Sequence, residues 1–210
     1  MIRRVLPPLP DDKRKVIMHA LFFEMRPLPG HLDHYFAHVA RLRPVLAQHT
    51  GLVFLDRYLS LTQPDLLLSH QLWDSEEAIV AWRKDRDHRR SQTAGRKVHF
   101  ADYRIRVGAR VLHRQAGHPV MPDETAAGDG AYVLALYGSK PVLSDGLHAF
   151  ESVNHKDRFI ALATYAGLAD AQGALARYSD TPGLESVAIY HLRRDYGQFD
   201  RAQAPAADGA

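Results

Sequence analysis

Hydrophobic and polar positions along the 210-residue chain change period several times, and each change marks an element. Residues 16–25 (VIMHALFFEM) are a β-rich apolar run that predicts a strand, ended by Pro27, Pro29 and Gly30. From 31 to 48 the period turns helical. Leu32, Tyr35, Phe36, Val39, Leu42 and Leu46 fall on one face, Pro44 predicts a kink or a broken last turn, and Gly51 is a stop signal. Residues 52–61 and 66–73 read as two strands of a hairpin joined by the turn-forming TQPD. Asp74 offers a helix cap with Glu77 as its capping-box partner, and Ile79 and Trp82 mark the inner face of the helix that follows. The charged stretch 83–97 predicts a further short helix and a loop, and 98–112 a long fourth strand.

The order β-α-β-β-α-β is the ferredoxin-like arrangement, an antiparallel sheet with both helices on one face. Its other face is apolar and needs a partner sheet. The Gly-, Pro- and Ala-rich residues 115–130 read as a linker between a first module at 16–114 and a second at 131–200. In the second, 131–137 predicts a strand, 147–153 and 158–165 a hairpin, 168–178 a helix and 184–194 a last strand. Only nine residues, Gly138 to Gly146, stand where the first module has its long helix, so the second copy is degenerate. Residues 1–15 read as a flexible arm and 201–210 as a tail.

Composition narrows the chemistry. The absence of cysteine excludes disulfides, thiolate metal sites and thiol nucleophiles. No apolar run approaches the ~20 residues of a membrane span, and the basic N-terminus lacks the apolar core of a signal peptide, so the protein is expected in the cytoplasm, off the membrane. Residues 1–115 carry 20 Lys and Arg against 12 Asp and Glu, and the remainder 7 against 12. The basic side chains alternate with acids, as in Lys84-Asp85-Arg86-Asp87, so the charge favours two modules packing on each other over nucleic acid.

The stretch from Gly51 to Val107 resembles the antibiotic-biosynthesis-monooxygenase family. The likeness rests on GLVFLDRYLSL, LLLSHQLWDSEEAIVAWRKDRDHRRSQ, GR and FADYRIRV in order and at the right spacing; the C-terminal RRDYGQFDRAQAP is similar to the tail of single-module members. The resemblance implies an α+β fold in which two ferredoxin-like modules pack as an intrachain dimeric α+β barrel, a pseudo-dimer that is monomeric or forms a further homodimer. It also implies a pocket between sheet and helices in the first module, and a cofactor-independent oxidation of a small aromatic or quinol substrate by O2. A non-catalytic binding module and a haem-binding protein with an atypical ligand are the alternatives.

Alternation along 66–73 puts Ser69, Gln71 and Trp73 on one face and Leu68, His70 and Leu72 on the other. By resemblance the Trp73 face lies under the helices, which makes Ser69 and Gln71 buried polar groups in need of a partner: a ligand, a water or a neighbouring side chain. Trp82 is placed to stack on a flat ring or to fill the core. His88, matching a histidine of the family, is a candidate base or a helix-end partner of Asp85 or Asp87. Tyr103 on the fourth strand is a candidate substrate contact; whether its face or that of Asp102 and Arg104 turns inward is open to either parity. The catalytic candidates are thus Trp73 and His88, and the substrate contacts Ser69, Gln71, Trp82 and Tyr103. Where polyketide monooxygenases of the family carry an Asn and a Tyr, this chain has Ser69 and Ile79; where haem-degrading members carry their axial His and pocket Asn, it has Gln92 and Phe23. His31, His34 and His38 share a helix stripe without an evident carboxylate partner, so a solvated edge, and no metal, is expected.

Overall fold

A computed structural model describes residues 17–123 and 128–205; the arm at 1–15 and the last residues of the tail lie outside them. The first module comprises β1 (His19–Pro27), α1 (Leu32–Leu46), β2 (Leu52–Ser60), β3 (Leu67–Trp73), α2 (Glu76–Lys84), α3 (Arg86–Ala94), a π-helical turn (Gly95–His99) and β4 (Phe100–Gln115). A two-residue strand, β5 (Met121–Pro122), precedes the second module: β6 (Tyr132–Gly138), β7 (His148–Ser152), β8 (Phe159–Tyr165), α4 (Leu168–Tyr178) and β9 (Leu184–Gly197).

Each module has the same strand order, β4-β1-β3-β2 and β9-β6-β8-β7. The two sheets do more than face each other. They join edge to edge, β2 to β7 and β4 to β9, so that eight strands close into one barrel. Closure satisfies the backbone groups that four exposed edges would leave unpaired. The seams differ: β2–β7 spans Tyr58↔Ser152 to Ser60↔Phe150, whereas β4–β9 runs from Arg104↔Gly197 to Gln115↔Ser186. This long pairing explains why both strands outrun their predicted ends. The expected linker also contributes structure, since β5 pairs with Leu112 and His113.

Local chemistry sets the other boundaries. Pro44 lies inside α1, where it removes one i→i−4 hydrogen bond, the one to the Ala40 carbonyl, and the helix nonetheless runs on to Leu46. Gly51 adopts φ +89°, and a β-carbon there would lie 2.5 Å from Asp74 Oδ1, so the turn into β2 demands glycine. The cap of α2 is Ser75, one residue later than predicted: its Oγ accepts from Ala78 N at 3.3 Å, while Asp74 Oδ1 takes the Ser75 hydroxyl.

Three cores result. The lumen is packed by residues of both modules, with Phe22, Leu68, Phe150 and Ile160 fully buried; each such side chain contributes about 1.5–3 kcal/mol on leaving water. Outside the barrel, α1 and α2 cover the first sheet, with α3 packed against those helices, and α4 covers the second. His70 points into the lumen. Its Nδ1 faces the Leu21 carbonyl at 3.3 Å, so that nitrogen donates, and Nε2 accepts from the Tyr137 hydroxyl at 2.9 Å, which lies 3.2 Å from Tyr190 Oη. Burial pushes the His70 pKa down to about 4 and keeps the ring neutral.

Candidate functional site

The alternation of β3 places Ser69, Gln71 and Trp73 on the helix side of the first sheet, all buried. Trp73 is 0% exposed and packs with Leu46, Ile79, Trp82 and Val107. Its Nε1 donates to Gln71 Oε1 at 3.0 Å. Ser69 is hydrogen-bonded to the Tyr35 hydroxyl, which also accepts from Arg57 Nε at 3.3 Å. The polar groups of this face therefore meet protein partners.

Tyr103 lies on the same side of the sheet, in a second cluster with Met25, Tyr35 and Leu67 and against Phe23 and Phe100. Parity along β4 makes Ile105 and Val107 its companions and turns Asp102 and Arg104 away, which settles the question left open by the sequence. The predicted residues thus form two groups on one face. Trp73, Gln71 and Trp82 are at one end, and Tyr103 is four residues along β4, about 13 Å at strand rise.

His88 stands over Trp82. The rings are stacked at 3.9 Å with an 11° interplanar angle. His88 Nδ1 is 2.9 Å from the Trp82 carbonyl, which can only accept, so Nδ1 carries the proton and the Nε2 lone pair is available. Burial pushes its pKa down to about 4, against the opposing hydrogen bond to that carbonyl. The Asp85 carboxylate does not close on the His88 ring. It caps α3 instead, accepting from the Asp87 and His88 amides at 2.9 Å each, and these bonds hold its pKa below the usual range. His49 completes the corner, edge-on to Trp82 at 5.1 Å and 3.3 Å from Asp85 Oδ2.

Sequence reasoning missed His49, Tyr35, Arg57 and Arg201. Arg201, near the end of the chain, donates to Tyr103 Oη at 2.8 Å. Tyr35 carries a faint signal as the one polar member of the apolar stripe of α1; nothing local marks the others. On the outer edge of α1, His31, His34 and His38 each come within 5.2–5.5 Å, ring to ring, of His99 from the π turn. Among the described residues, no group of three His, Asp or Glu side chains is arranged to hold a metal ion.

A groove of about 440 Å³ opens beside Tyr103, walled by β4, the end of β9 and residues 198–203. A narrower opening of about 50 Å³ leads toward Tyr137 and Tyr190 in the lumen. Ser69, Gln71, Trp73, Trp82 and His88 line neither; Tyr103 lines the first.

Residues 18–94 match the family model described as antibiotic biosynthesis monooxygenase. A jasmonate monooxygenase from Pyricularia oryzae is 31% identical over 216 residues, spanning 90% of this chain and 97% of that protein. Among solved structures, a Pseudomonas aeruginosa protein covers 46% of this chain and 96% of its own, at 14% identity and a TM-score of 0.41. A candidate monooxygenase from Lactobacillus acidophilus covers 84% and 93%, at 7% identity and a TM-score of 0.43. No helix among the described residues is long and apolar enough to cross a membrane.

Proposed function

The chain belongs to the antibiotic biosynthesis monooxygenase family, and from that premise we propose that it oxidises a small, flat, quinol-type aromatic with O2, without a cofactor, on the helix side of its first module. The observation that carries this reading is the His88–Trp82 stack. It pairs a large aromatic surface with a neutral imidazole whose Nε2 lone pair is free to take a proton.

In this reading His88 Nε2 removes a proton from an acidic C–H or O–H of the substrate. An imidazole with a pKa near 4 is a weak base, but the anion it creates lies beside the new imidazolium and raises that pKa, so the ion pair stabilises the step. The substrate anion passes an electron to O2, and radical and superoxide combine into a peroxide. Loss of water, with a proton returned by His88, leaves a carbonyl. A methylene plus O2 becomes a carbonyl plus water, and no outside reductant is needed. Trp73 and Trp82 supply stacking surface, Ser69 and Gln71 hydrogen bonds, and Tyr103 the far wall. The bonds these groups now make to one another would be exchanged for bonds to substrate, with the helices moving outward to admit the ring.

The relative from Pyricularia oryzae motivates a second reading, in which the substrate is an alicyclic carboxylic acid such as jasmonate. Hydroxylating such a carbon consumes O2 and two further electrons, so a reductant must be added. The test is O2 uptake with mass analysis of product, on protein freed of metal and flavin, for anthrones, naphthohydroquinone and jasmonic acid. Oxidation of the hydroxyarenes without added reductant is expected. Turnover of jasmonic acid alone, and only with a reductant present, overturns the first reading in favour of the second.

A further inference from the structure

We propose that the tip of the first module, where α1 begins beside the π turn, docks on a membrane surface of anionic lipid: Leu28, Leu32 and Val98 enter it amid four histidines, and the contact tightens as pH falls below about 6.5. None of these residues has a role in the oxidation described above.

Backbone bonds bring the pieces of the tip together. Leu28 N donates to the His99 carbonyl at 2.9 Å, and His31 N to the Leu28 carbonyl at 2.9 Å. Leu32 follows His31 on one side of this junction, and Val98 precedes His99 on the other. All three aliphatic side chains are exposed, Val98 to 53%. Single exposed aliphatics are ordinary; three at one junction mark a contact surface.

The histidines surround that junction. The rings of His31, His34 and His38 from α1 each lie 5.2–5.5 Å from the ring of His99. His31 Nδ1 and His99 Nδ1 are 3.0 Å apart, so one donates and the other keeps its lone pair. His38 Nδ1 accepts from Arg41 at 2.6 Å and lies 3.2 Å from Ser91 Oγ of α3. Burial, then Arg41 for His38 and the facing imidazoles for both, holds His38 and His99 below the ordinary histidine range. The exposed cations Arg41, Arg96 and Lys97 stand against the exposed acids Asp33 and Asp102, while Asp87 and Arg90 of α3 pair with each other. Near neutral pH the tip therefore has a small positive balance. In acid the imidazoles charge, and the Nδ1–Nδ1 bond cannot survive protonation of both partners. The rings are then driven apart and present N–H groups and charge to whatever lies outside.

Anionic lipid meets both halves of this surface. Headgroup phosphates pair with the cations, and the aliphatic side chains reach the acyl boundary. Duplex nucleic acid supplies the charge but no apolar layer for Leu28, Leu32 and Val98. The anionic surface stabilises imidazolium, so docking and proton uptake reinforce each other. The expectation of a protein off the membrane followed from the lack of a long apolar run, and a docking tip needs none.

The test is co-sedimentation of the full chain with vesicles, in EDTA, at about pH 7.5 and about pH 5.5. The vesicles are phosphatidylcholine alone or an equal mixture with phosphatidylglycerol. Binding is expected with the anionic vesicles, weakened by salt and about tenfold or more tighter at the lower pH. Lys97→Gln should weaken it by about fivefold and Val98→Asp by about tenfold, with circular dichroism unchanged. His34→Gln/His99→Gln should keep the binding near neutral pH and lose most of the acid tightening; His34→Gln alone, which changes only an exposed ring, should lose part of it. No sedimentation with phosphatidylglycerol at either pH overturns the proposal. So does equal binding to phosphatidylcholine alone, tighter binding to duplex DNA than to anionic vesicles of equal charge, or acid tightening that survives the double histidine variant.

Discussion

The two outer faces of the barrel differ more than their shared strand order implies. On the first, β3 turns Ser69, Gln71 and Trp73 outward beneath α1 and α2, with His88, His49 and Arg57 close by. On the second, the equivalent strand β8 turns out Ala161 and Ala163 beneath α4, which answers with Ala171, Ala174 and Leu175. In place of α1, the second module has only the connection between β6 and β7. Small apolar side chains close tightly and need no partner, whereas a buried amide, hydroxyl and indole hold their place only with matched hydrogen bonds. Closing the barrel needs both sheets; the second outer face has its polar groups at the margins of the α4 core, where Tyr132 stacks on His191 and the Tyr178 hydroxyl donates to Ser144, while on the first they lie at the centre of the helix-covered sheet. Under the function proposed above, one copy completes the barrel while the other carries the reacting side chains.

The largest expected effect tests the first face. His88→Ala should lower kcat by about 10²–10⁴-fold with little change in KM if Nε2 takes the proton. The single aromatic stack that is lost would by itself weaken binding only slightly, so a change confined to KM, read in steady-state kinetics on a hydroxyarene, would sink the base role.

The counterpart on the second face is Leu175→Ala. Leu175 is 4% exposed in the core under α4, so its truncation should cost about 2–5 kcal/mol of stability, read by urea unfolding. At temperatures where the variant remains folded, kcat should match the parent. A kcat that falls in the folded variant would mean that the second module takes part in the chemistry and not only in barrel closure.

The third expectation concerns pH. His70 in the lumen and His88 on the first face both have folded pKa values near 4, below the ordinary value near 6.5 that the unfolded chain regains. Between those values the unfolded state binds more protons, so stability is complete above about 6.5 and falls as pH drops toward 4. For the fully buried His70 the loss is on the order of 3 kcal/mol. His70→Phe, which places a second ring against Phe22, should flatten the acid side of the stability profile relative to the parent. An unchanged slope would assign acid sensitivity to other groups.

What the sequence made legible follows periodicity. Alternation along β3 separated Ser69, Gln71 and Trp73 from His70, and the structure keeps them on opposite faces. The extent of α4 was readable because Leu168, Ala171, Leu175 and Tyr178 recur at helical spacing and Thr181-Pro182-Gly183 follows. The seams were not, because pairing Arg104 with Gly197 joins residues far apart in sequence and leaves no local signature. The same holds for Arg201 on Tyr103. The π turn before β4 turns on one packing event: a β-carbon on Gly95 would lie 2.5 Å from the Phe100 ring, so the turn forms where glycine admits that ring. The cap of α2 was misplaced by one residue because Asp74 and Ser75 are both good caps, and only geometry chooses between them.

The smallest predicted effect uses that cap to compare the modules once more. Helix α2 begins with the Ser75 hydroxyl accepting from the Ala78 amide, whereas α4 begins at Gly167 with no side-chain cap. Ser75→Ala should therefore cost about 1 kcal/mol, since the amide is left to water alone. Gly167 has the extended backbone of a cap residue, φ −142° and ψ 159°, and a β-carbon there would meet nothing within 4 Å. Gly167→Ser adds the missing acceptor without strain, and also reduces the freedom of the unfolded chain, so a gain of a few tenths of a kcal/mol is expected. Because the two sites lie on opposite faces of the barrel and share no partner, the double variant should show the sum of the two changes within about 0.5 kcal/mol. A double-variant melting curve that departs from that sum would mean that the two helical layers are coupled through the lumen, and that the division between a chemical face and a structural one is less complete than the packing implies.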